Sequence, residues 1–130
     1  MVPGNQYYLS DKDEEISEIL CNVGLKKNEA RILVLMFKNI DYVSRDIERA
    51  ADLRQPEVSV ALNALIRKNW VEISHQNKQN KGRPVKIYRL SRTIDEILDE
   101  LRETITGGYL KQVEFIEKVR ILVKEARIAE

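Results

Sequence analysis

The sequence predicts a mainly helical fold with one small β-hairpin. Apolar residues recur at spacings of three and four over most of the 130-residue chain, which is typical of amphipathic helices. Only residues 70–74 and 85–90 alternate apolar and polar side chains in the way strands do. The polar stretch between these two segments contains Gly82 and Pro84, so we expect a hairpin with a long loop.

Longer helices are expected on both sides of the hairpin. Ser10 can cap a first helix that ends near Gly24, and a second helix covers residues 27–39. After the hairpin, Ser91 can cap another helix. We expect the Gly107-Gly108 pair to end that helix and to separate it from a last one.

Two shorter helices are predicted between the second helix and the hairpin. Ser44 is expected to be the N-cap of the first, and residues 53–55 form the turn that follows. Pro56 is expected at the first position of the next helix, where its missing N–H costs nothing. This helix, residues 56–68, buries an apolar stripe and ends at Asn69, which tolerates left-handed backbone.

The order of these elements is that of a winged helix-turn-helix. A helix of about a dozen residues can enter the major groove of DNA, and cations on the adjoining hairpin can contact phosphates. The net charge of the whole chain is only +1. Between Ile73 and Ile94, however, there are six basic residues and no acidic one. The positive charge is therefore concentrated on the predicted hairpin, or wing.

The residues expected to contact DNA lie on the outer face of the predicted recognition helix, at its start, at the start of the helix before it, and on the wing. Gln, Asn and Ser pair with base edges, Glu accepts from cytosine, and Arg and Lys bind phosphates or a narrow minor groove. For each of these residues a simple solvated surface is the alternative. The set is Ser44, Arg54, Gln55, Pro56, Glu57, Ser59, Asn63, Arg67, Lys78, Lys81, Gly82, Arg83 and Lys86.

Three stretches resemble one known family. Residues 23–31 (VGLKKNEAR) and the segment from Ser44 to Val71 are similar to archaeal TrmB-type and MarR-like winged-helix regulators, as is Lys81-Gly82-Arg83-Pro84 with the strand that follows. The resemblance covers about residues 20–92 and implies a recognition helix at 56–68 and a DNA-contacting wing around 81–86. TrmB-type proteins also carry a large sugar-binding domain. Only about 38 residues follow the wing here, so the resemblance implies DNA binding without sugar sensing.

Three segments are expected along the chain: an N-terminal arm and helix (1–22), a DNA-binding domain (23–92) and a C-terminal helical segment (93–130). The last segment carries more aliphatic residues than a small winged-helix core can cover. We therefore expect a homodimer held by N- and C-terminal helices, with two recognition helices about one DNA turn apart and a near-palindromic site.

Other classes of function have little support in the sequence. There is no nucleophile–base arrangement, phosphate-binding loop or metal motif, so we expect a protein that is not an enzyme and needs no cofactor. Neither a signal peptide nor a membrane-spanning run is evident, and the single cysteine suits a cytoplasmic location. A small-molecule effector remains unknown. The alternatives are a protein-interaction module of a transcription or chromosome-associated complex and an RNA-binding winged helix. The basic wing and the polar recognition helix favour DNA.

Overall fold

The computed structural model describes residues 7–77 and 84–129. Their elements are α1 (Asp11–Val23), α2 (Lys27–Met36), α3 (Ser44–Ala51), α4 (Gln55–Arg67), β1 (Val71–Asn77), β2 (Pro84–Leu90) and α5 (Ile94–Ala129). The predicted fold class, mainly α with one small hairpin, is confirmed. The chain divides into two compact units, the first ending at Thr93 and the second starting at Ile94. We call the first of these the N-terminal unit.

Helix α2 lies at the centre of the N-terminal unit. Every residue from Ile32 to Met36 is buried, because α2 contacts α1, α3 and α4. Ile47 of α3 and Leu65 of α4 are also fully buried. A helix that is apolar on nearly all sides is stable only when other elements surround it, and these three helices do so.

Local chemistry sets the ends of several helices as the sequence predicts. The Ser10 hydroxyl accepts a hydrogen bond from the Asp13 amide at 3.1 Å, and the Asp13 carboxylate accepts one from the Ser10 amide at 2.9 Å. This reciprocal capping box satisfies two amides that have no partner within α1. Gly24 follows α1 with φ 126°, and Asn69 follows α4 with φ 65°. Both predicted left-handed ends are thus confirmed.

The predicted cap of α3 is wrong. Val43 occupies the N-cap position with extended backbone, and Ser44 is already the first helical residue. From that position the Ser44 hydroxyl donates a hydrogen bond to the Glu48 carboxylate at 3.1 Å. In α4, Gln55 is the first residue and Pro56 the second. Proline is tolerated at either position because neither amide has a partner within the helix.

Two predicted helix lengths are also wrong. Helix α2 ends at Met36, and the chain turns at Asn39 with φ 62°. After the hairpin, α5 continues through Gly107 for 36 residues without a break. A glycine inside a helix costs only about 1 kcal/mol relative to alanine, or about 2 kcal/mol for the glycine pair, so the flanking residues can carry the helix through. Ser91 does not cap α5, because the helix begins only at Ile94; its hydroxyl instead donates to the carbonyl of Asn69 at 2.6 Å.

The hairpin is anchored to the helices through backbone hydrogen bonds. The amide of Tyr42 donates to the Tyr88 carbonyl at 3.0 Å, and the Tyr88 amide donates to the Tyr42 carbonyl at 2.7 Å. Tyr42 is thus a one-residue strand at the outer edge of β2. Strand β1 runs to Asn77, three residues beyond its predicted end. These contacts fix the base of the hairpin against the helix-turn-helix.

Candidate nucleic-acid interface

Helix α4 has one buried and one open side. Its buried residues are Val58, Ala61, Leu62, Ala64 and Leu65. Gln55, Asn63 and Arg67 are exposed on the opposite side, and Ser59 is half-buried there. None of these four side chains forms a hydrogen bond or an ion pair within the described part of the chain. Their donors and acceptors are therefore available to an external partner.

Glu57 has a structural role at the start of α4. Its carboxylate accepts a hydrogen bond from the Arg54 amide at 2.9 Å, which satisfies one of the free amides at this end of the helix. One carboxylate oxygen is thereby committed to the helix. The guanidinium of Arg54 is exposed and forms no ion pair among the described residues.

Val60 is a surface residue that the sequence analysis missed. Its side chain is 70% exposed, the most among the large apolar residues described in the N-terminal unit. It follows Pro56 by four positions and precedes Asn63 by three, so all three share one side of α4. The sequence signal is that Val60 falls outside the three-and-four spacing of the buried stripe. An exposed methyl group here can contact the methyl group of thymine.

A groove of about 350 Å³ separates α4 from the start of α2. Lys26 and Asn28 line one side, and Pro56, Glu57 and Val60 line the other. The structure thus brings the exposed cation Lys26 beside the open face of α4. Sequence reasoning had no signal for this residue, because Lys26 and Val60 are distant in the chain and meet only through the packing of α2 on α4.

The turn between α3 and α4 is held by Arg31 of α2. Its Nε and NH2 groups donate to the carbonyl of Ala51 at 3.2 and 3.0 Å, and its NH1 group pairs with Glu14 of α1. Asp52 then adopts left-handed backbone with φ 54°, which redirects the chain toward α4. A cation at a helix C-terminus also complements the helix dipole. Arg31 therefore fixes the turn that determines how α4 is presented.

Helix α3 contributes two further exposed cations. Arg45 and Arg49 lie four residues apart on one face of the helix, and neither forms an ion pair within residues 7–77 and 84–129. Ser44 stands at the first position of the same helix and is half-buried. These cations are suited to phosphate contacts.

The described part of the hairpin holds one predicted contact residue, Lys86. It pairs with His75 in the strand register, and both side chains are exposed. On the other face of the hairpin, Arg89 forms an ion pair with Glu72 at 2.8 Å. The predicted contacts Lys78, Lys81, Gly82 and Arg83 lie outside the described residues.

The two tyrosines that join the base of the hairpin to the helices carry no charge at neutral pH. Burial raises the pKa of the Tyr42 phenol, and it also raises the pKa of Tyr88. Both rings remain protonated, and the Tyr7 ring packs edge-on against Tyr42 at 6.0 Å. These tyrosines therefore support the hairpin, and its exposed cations provide the charge.

Other kinds of site find no support in the part of the chain that the structure describes. No three His, Cys, Asp or Glu side chains in it come together where they could hold a metal ion. Nor does any described helix combine the length and the apolar character needed to cross a bilayer.

Comparisons with known proteins agree with this geometry. Residues 20–101 match the family described as "Sugar-specific transcriptional regulator TrmB". The chain is similar in structure to a possible transcriptional regulator from Methanosarcina mazei Go1, with 16% identity and a TM-score of 0.65 over 81% of this chain and 86% of that one. It is also similar to a protein of the thermoacidophilic archaeon Sulfolobus tokodaii, with 18% identity and a TM-score of 0.59 over 78% and 98% of the two chains. No curated protein sequence matches it. The predicted winged helix-turn-helix is thus confirmed.

Proposed function

This chain belongs to the TrmB family of transcriptional regulators, and we propose that it binds double-stranded DNA sequence-specifically as a homodimer. The observation that carries the proposal is the open side of α4, where polar side chains and Val60 have no partner within the described chain. A helix that only kept the surface soluble would more often carry paired Lys and Glu. The alternative, a winged helix that binds protein, does not need such a face.

Base recognition is assigned to α4 in the major groove. Its 13 residues span about 20 Å, and a helix of that size fits the groove. Gln55 and Asn63 are the side chains suited to adenine edges, Ser59 to several donors and acceptors, and Val60 to a thymine methyl group. The commitment of Glu57 to the Arg54 amide leaves it a smaller part in reading bases.

Affinity is assigned to cations around α4. Arg45, Arg49 and Arg54 are exposed and unpaired among the described residues, and such side chains bind phosphates. Lys86 would extend this contact along the hairpin, together with the predicted wing residues Lys78, Lys81 and Arg83. Arg83 is the wing residue best suited to enter a narrow minor groove, because A·T tracts attract arginine there.

A homodimer is supported by the apolar surface of the N- and C-terminal helices. Ile19 of α1 is exposed, and so is a series of large apolar residues in α5. Such surfaces in a small protein usually mark an interaction site. A two-fold dimer presents two recognition helices to half-sites one helical turn apart, or a multiple of it, so the preferred operator would be near-palindromic.

The different roles assigned to the polar residues of α4 and to the surrounding cations provide the test. After a preferred site has been selected from a random pool, fluorescence anisotropy measures binding of each variant to that site and to random duplex. Asn63→Ala and Ser59→Ala are expected to lose about 1–3 kcal/mol per base contact on the selected site and little on random duplex. Arg49→Ala, Lys81→Ala and Arg83→Ala are expected to weaken both and to lower the salt dependence.

Lys118→Ala serves as the matched control, because it removes an exposed cation from α5 and not from the proposed interface. Its binding to both duplexes should equal that of the unmodified protein. If the α4 variants and the cation variants weaken the two duplexes equally, the assigned roles are wrong. If neither the unmodified protein nor any variant binds either duplex, the proposed function itself is wrong.

A further inference from the structure

Helix α5 carries an apolar seam that is exposed in a single copy of the chain. From Arg102 to Ile128, every described residue of α5 is exposed. Six of these residues follow alternating spacings of four and three and therefore lie along one line of the helix. We call them the α5 seam: Ile105, Tyr109, Gln112, Ile116, Val119 and Val123.

The spacing of the α5 seam is that of a heptad repeat. Helices with this repeat bury it by pairing with another helix. The six positions are also symmetric about residue 114, since Gln112 and Ile116 lie two residues on either side of Glu114. A second copy of α5, running in the opposite direction with a two-fold axis near this residue, would bring the whole seam into register.

From this symmetry we propose that α5 pairs with α5 of a second copy in an antiparallel arrangement, with the two-fold axis near Glu114. The proposal rests on the homodimer of the proposed function and specifies its interface. Ile105 then packs beside the partner's Val123, Tyr109 beside the partner's Val119, and Gln112 beside the partner's Ile116.

Side-chain size favours this direction over a parallel pair. The antiparallel arrangement places the large ring of Tyr109 opposite the small Val119, so each layer holds a similar volume. A parallel pair would stack Tyr109 on Tyr109 and Val119 on Val119, which makes one layer overfull and another loose. Interfaces, like protein cores, lose stability from both faults.

Charge favours the same direction. Residues 94–103 hold five acids and one arginine, whereas residues 104–129 hold five basic residues and three acids. An antiparallel pair places the two acidic starts at opposite ends of the pair, far from each other. A parallel pair would align the two acidic segments, and like charges at that distance repel.

Gln112 is the one polar member of the α5 seam. A single polar residue in an apolar seam fixes the register of helix pairs at some cost in stability. With the axis near Glu114, the two copies of Gln112 lie within about one turn of each other and can hydrogen-bond across the interface. The seam thereby specifies one alignment.

The direction of pairing is measured by pulsed electron-spin resonance on the full chain. Cys21→Ser removes the only native thiol, and a spin label is placed in turn through Asp99→Cys or Lys111→Cys, both exposed positions of α5. Asp99 lies 15 residues and Lys111 three residues from Glu114. The antiparallel pair predicts separations of about 45 Å at Asp99 and below about 20 Å at Lys111.

Sedimentation of the same samples distinguishes failure of this proposal from failure of the homodimer. A dimer with short separations at both positions overturns the antiparallel pairing and leaves the homodimer standing. A monomer overturns both. Binding of the same samples to random duplex DNA is measured as well. If α4 and its surrounding cations bind DNA, this binding is expected whether the chain is an antiparallel dimer, another dimer or a monomer.

A matched pair of variants tests the seam itself. Val119 and Ile121 are similarly exposed, 59% and 56%, but lie on opposite sides of α5. Val119→Asp is expected to raise the dimer dissociation constant at least tenfold, and Ile121→Asp to change it less than about twofold. Circular dichroism verifies that both variants keep their helical content. Equal effects of the two substitutions would overturn the assignment.

Discussion

The N-terminal unit and α5 use apolar side chains in opposite ways. In the N-terminal unit, α2 is enclosed by its neighbours and Leu33 has no exposed surface. In α5, Leu110 is 56% exposed, although it too is a leucine in a helix. The first unit therefore holds the core on which its own stability depends. The apolar surface of α5 gains its stabilising effect only when a partner covers it.

The largest expected difference between the two regions comes from matched Leu→Ala substitutions. Leu33→Ala removes a fully buried side chain and leaves a cavity, which is expected to lower the free energy of unfolding by about 2–5 kcal/mol. Leu110→Ala removes an exposed one outside the α5 seam and should change it by less than about 0.5 kcal/mol. Urea unfolding at one protein concentration checks both. Similar losses of unfolding free energy for the two variants would mean that Leu110 is buried against a partner and is not exposed to solvent.

Breaking an ion pair should also destabilise the protein more in the N-terminal unit than in α5, although the difference is smaller than for the leucines. Arg31 is 16% exposed and joins Glu14 to the carbonyl of Ala51, so Arg31→Met is expected to cost about 1.5–3 kcal/mol and to weaken DNA binding. The α5 pair between Arg120 and Glu117 is mostly exposed, and Arg120→Met is expected to cost at most about 0.5 kcal/mol. Thermal unfolding and duplex binding test the pair. If Arg31→Met leaves binding unchanged, the turn it holds does not govern the presentation of α4.

The capping box of α1 provides a pH test. Burial by itself would raise the pKa of Asp13, but hydrogen bonds from Ser10 and the nearby Lys38 outweigh it and lower that pKa. Because the folded pKa lies below the unfolded value, the stabilisation is present above about pH 4 and is lost as the pH falls through the folded pKa. Asp13→Asn is expected to cost about 1 kcal/mol at pH 7, and this cost is expected to shrink as the pH falls through the folded pKa of Asp13.

Asp11→Asn is the control for that prediction, since Asp11 lies in the same turn but is exposed and outside the box. It should show a smaller effect at neutral pH, limited to the helix dipole. Urea unfolding across the pH range compares the two. A constant difference for Asp13→Asn from pH 7 to pH 2 would contradict the assigned role of its carboxylate.

The smallest expected effect comes from Gly→Ala substitutions, which should lower stability in the N-terminal unit and raise it in α5. Gly24 has φ 126°, a conformation that side chains oppose, so Gly24→Ala is expected to destabilise the protein by about 1 kcal/mol. Gly107 lies inside α5, and an added Cβ would meet nothing within 4 Å. Gly107→Ala is therefore expected to stabilise the helix by up to about 1 kcal/mol. Thermal unfolding measures both. A loss at Gly107 would indicate that the glycine pair serves as a bend.

How far the sequence predicts this structure depends on whether the deciding interactions are local. The capping box at Ser10 and the left-handed turn at Asn69 were predictable, because nearby residues determine them. The continuation of α5 through Gly107 was not predictable from nearby residues. The small cost of glycine in a helix is outweighed by the stability of the helix on both sides, which a local pattern does not report. Lys26 was missed for another reason: tertiary packing alone brings it beside α4.

Binding of the unmodified protein to random duplex DNA, measured by fluorescence anisotropy from about 50 to 200 mM salt, tests the central claim most directly. Contacts to six or more phosphates predict tight binding at the low end and a loss of at least about 10³-fold over that range. Absence of binding at about 50 mM salt would contradict the account. The exposed cations around α4 would then have to face a partner other than DNA.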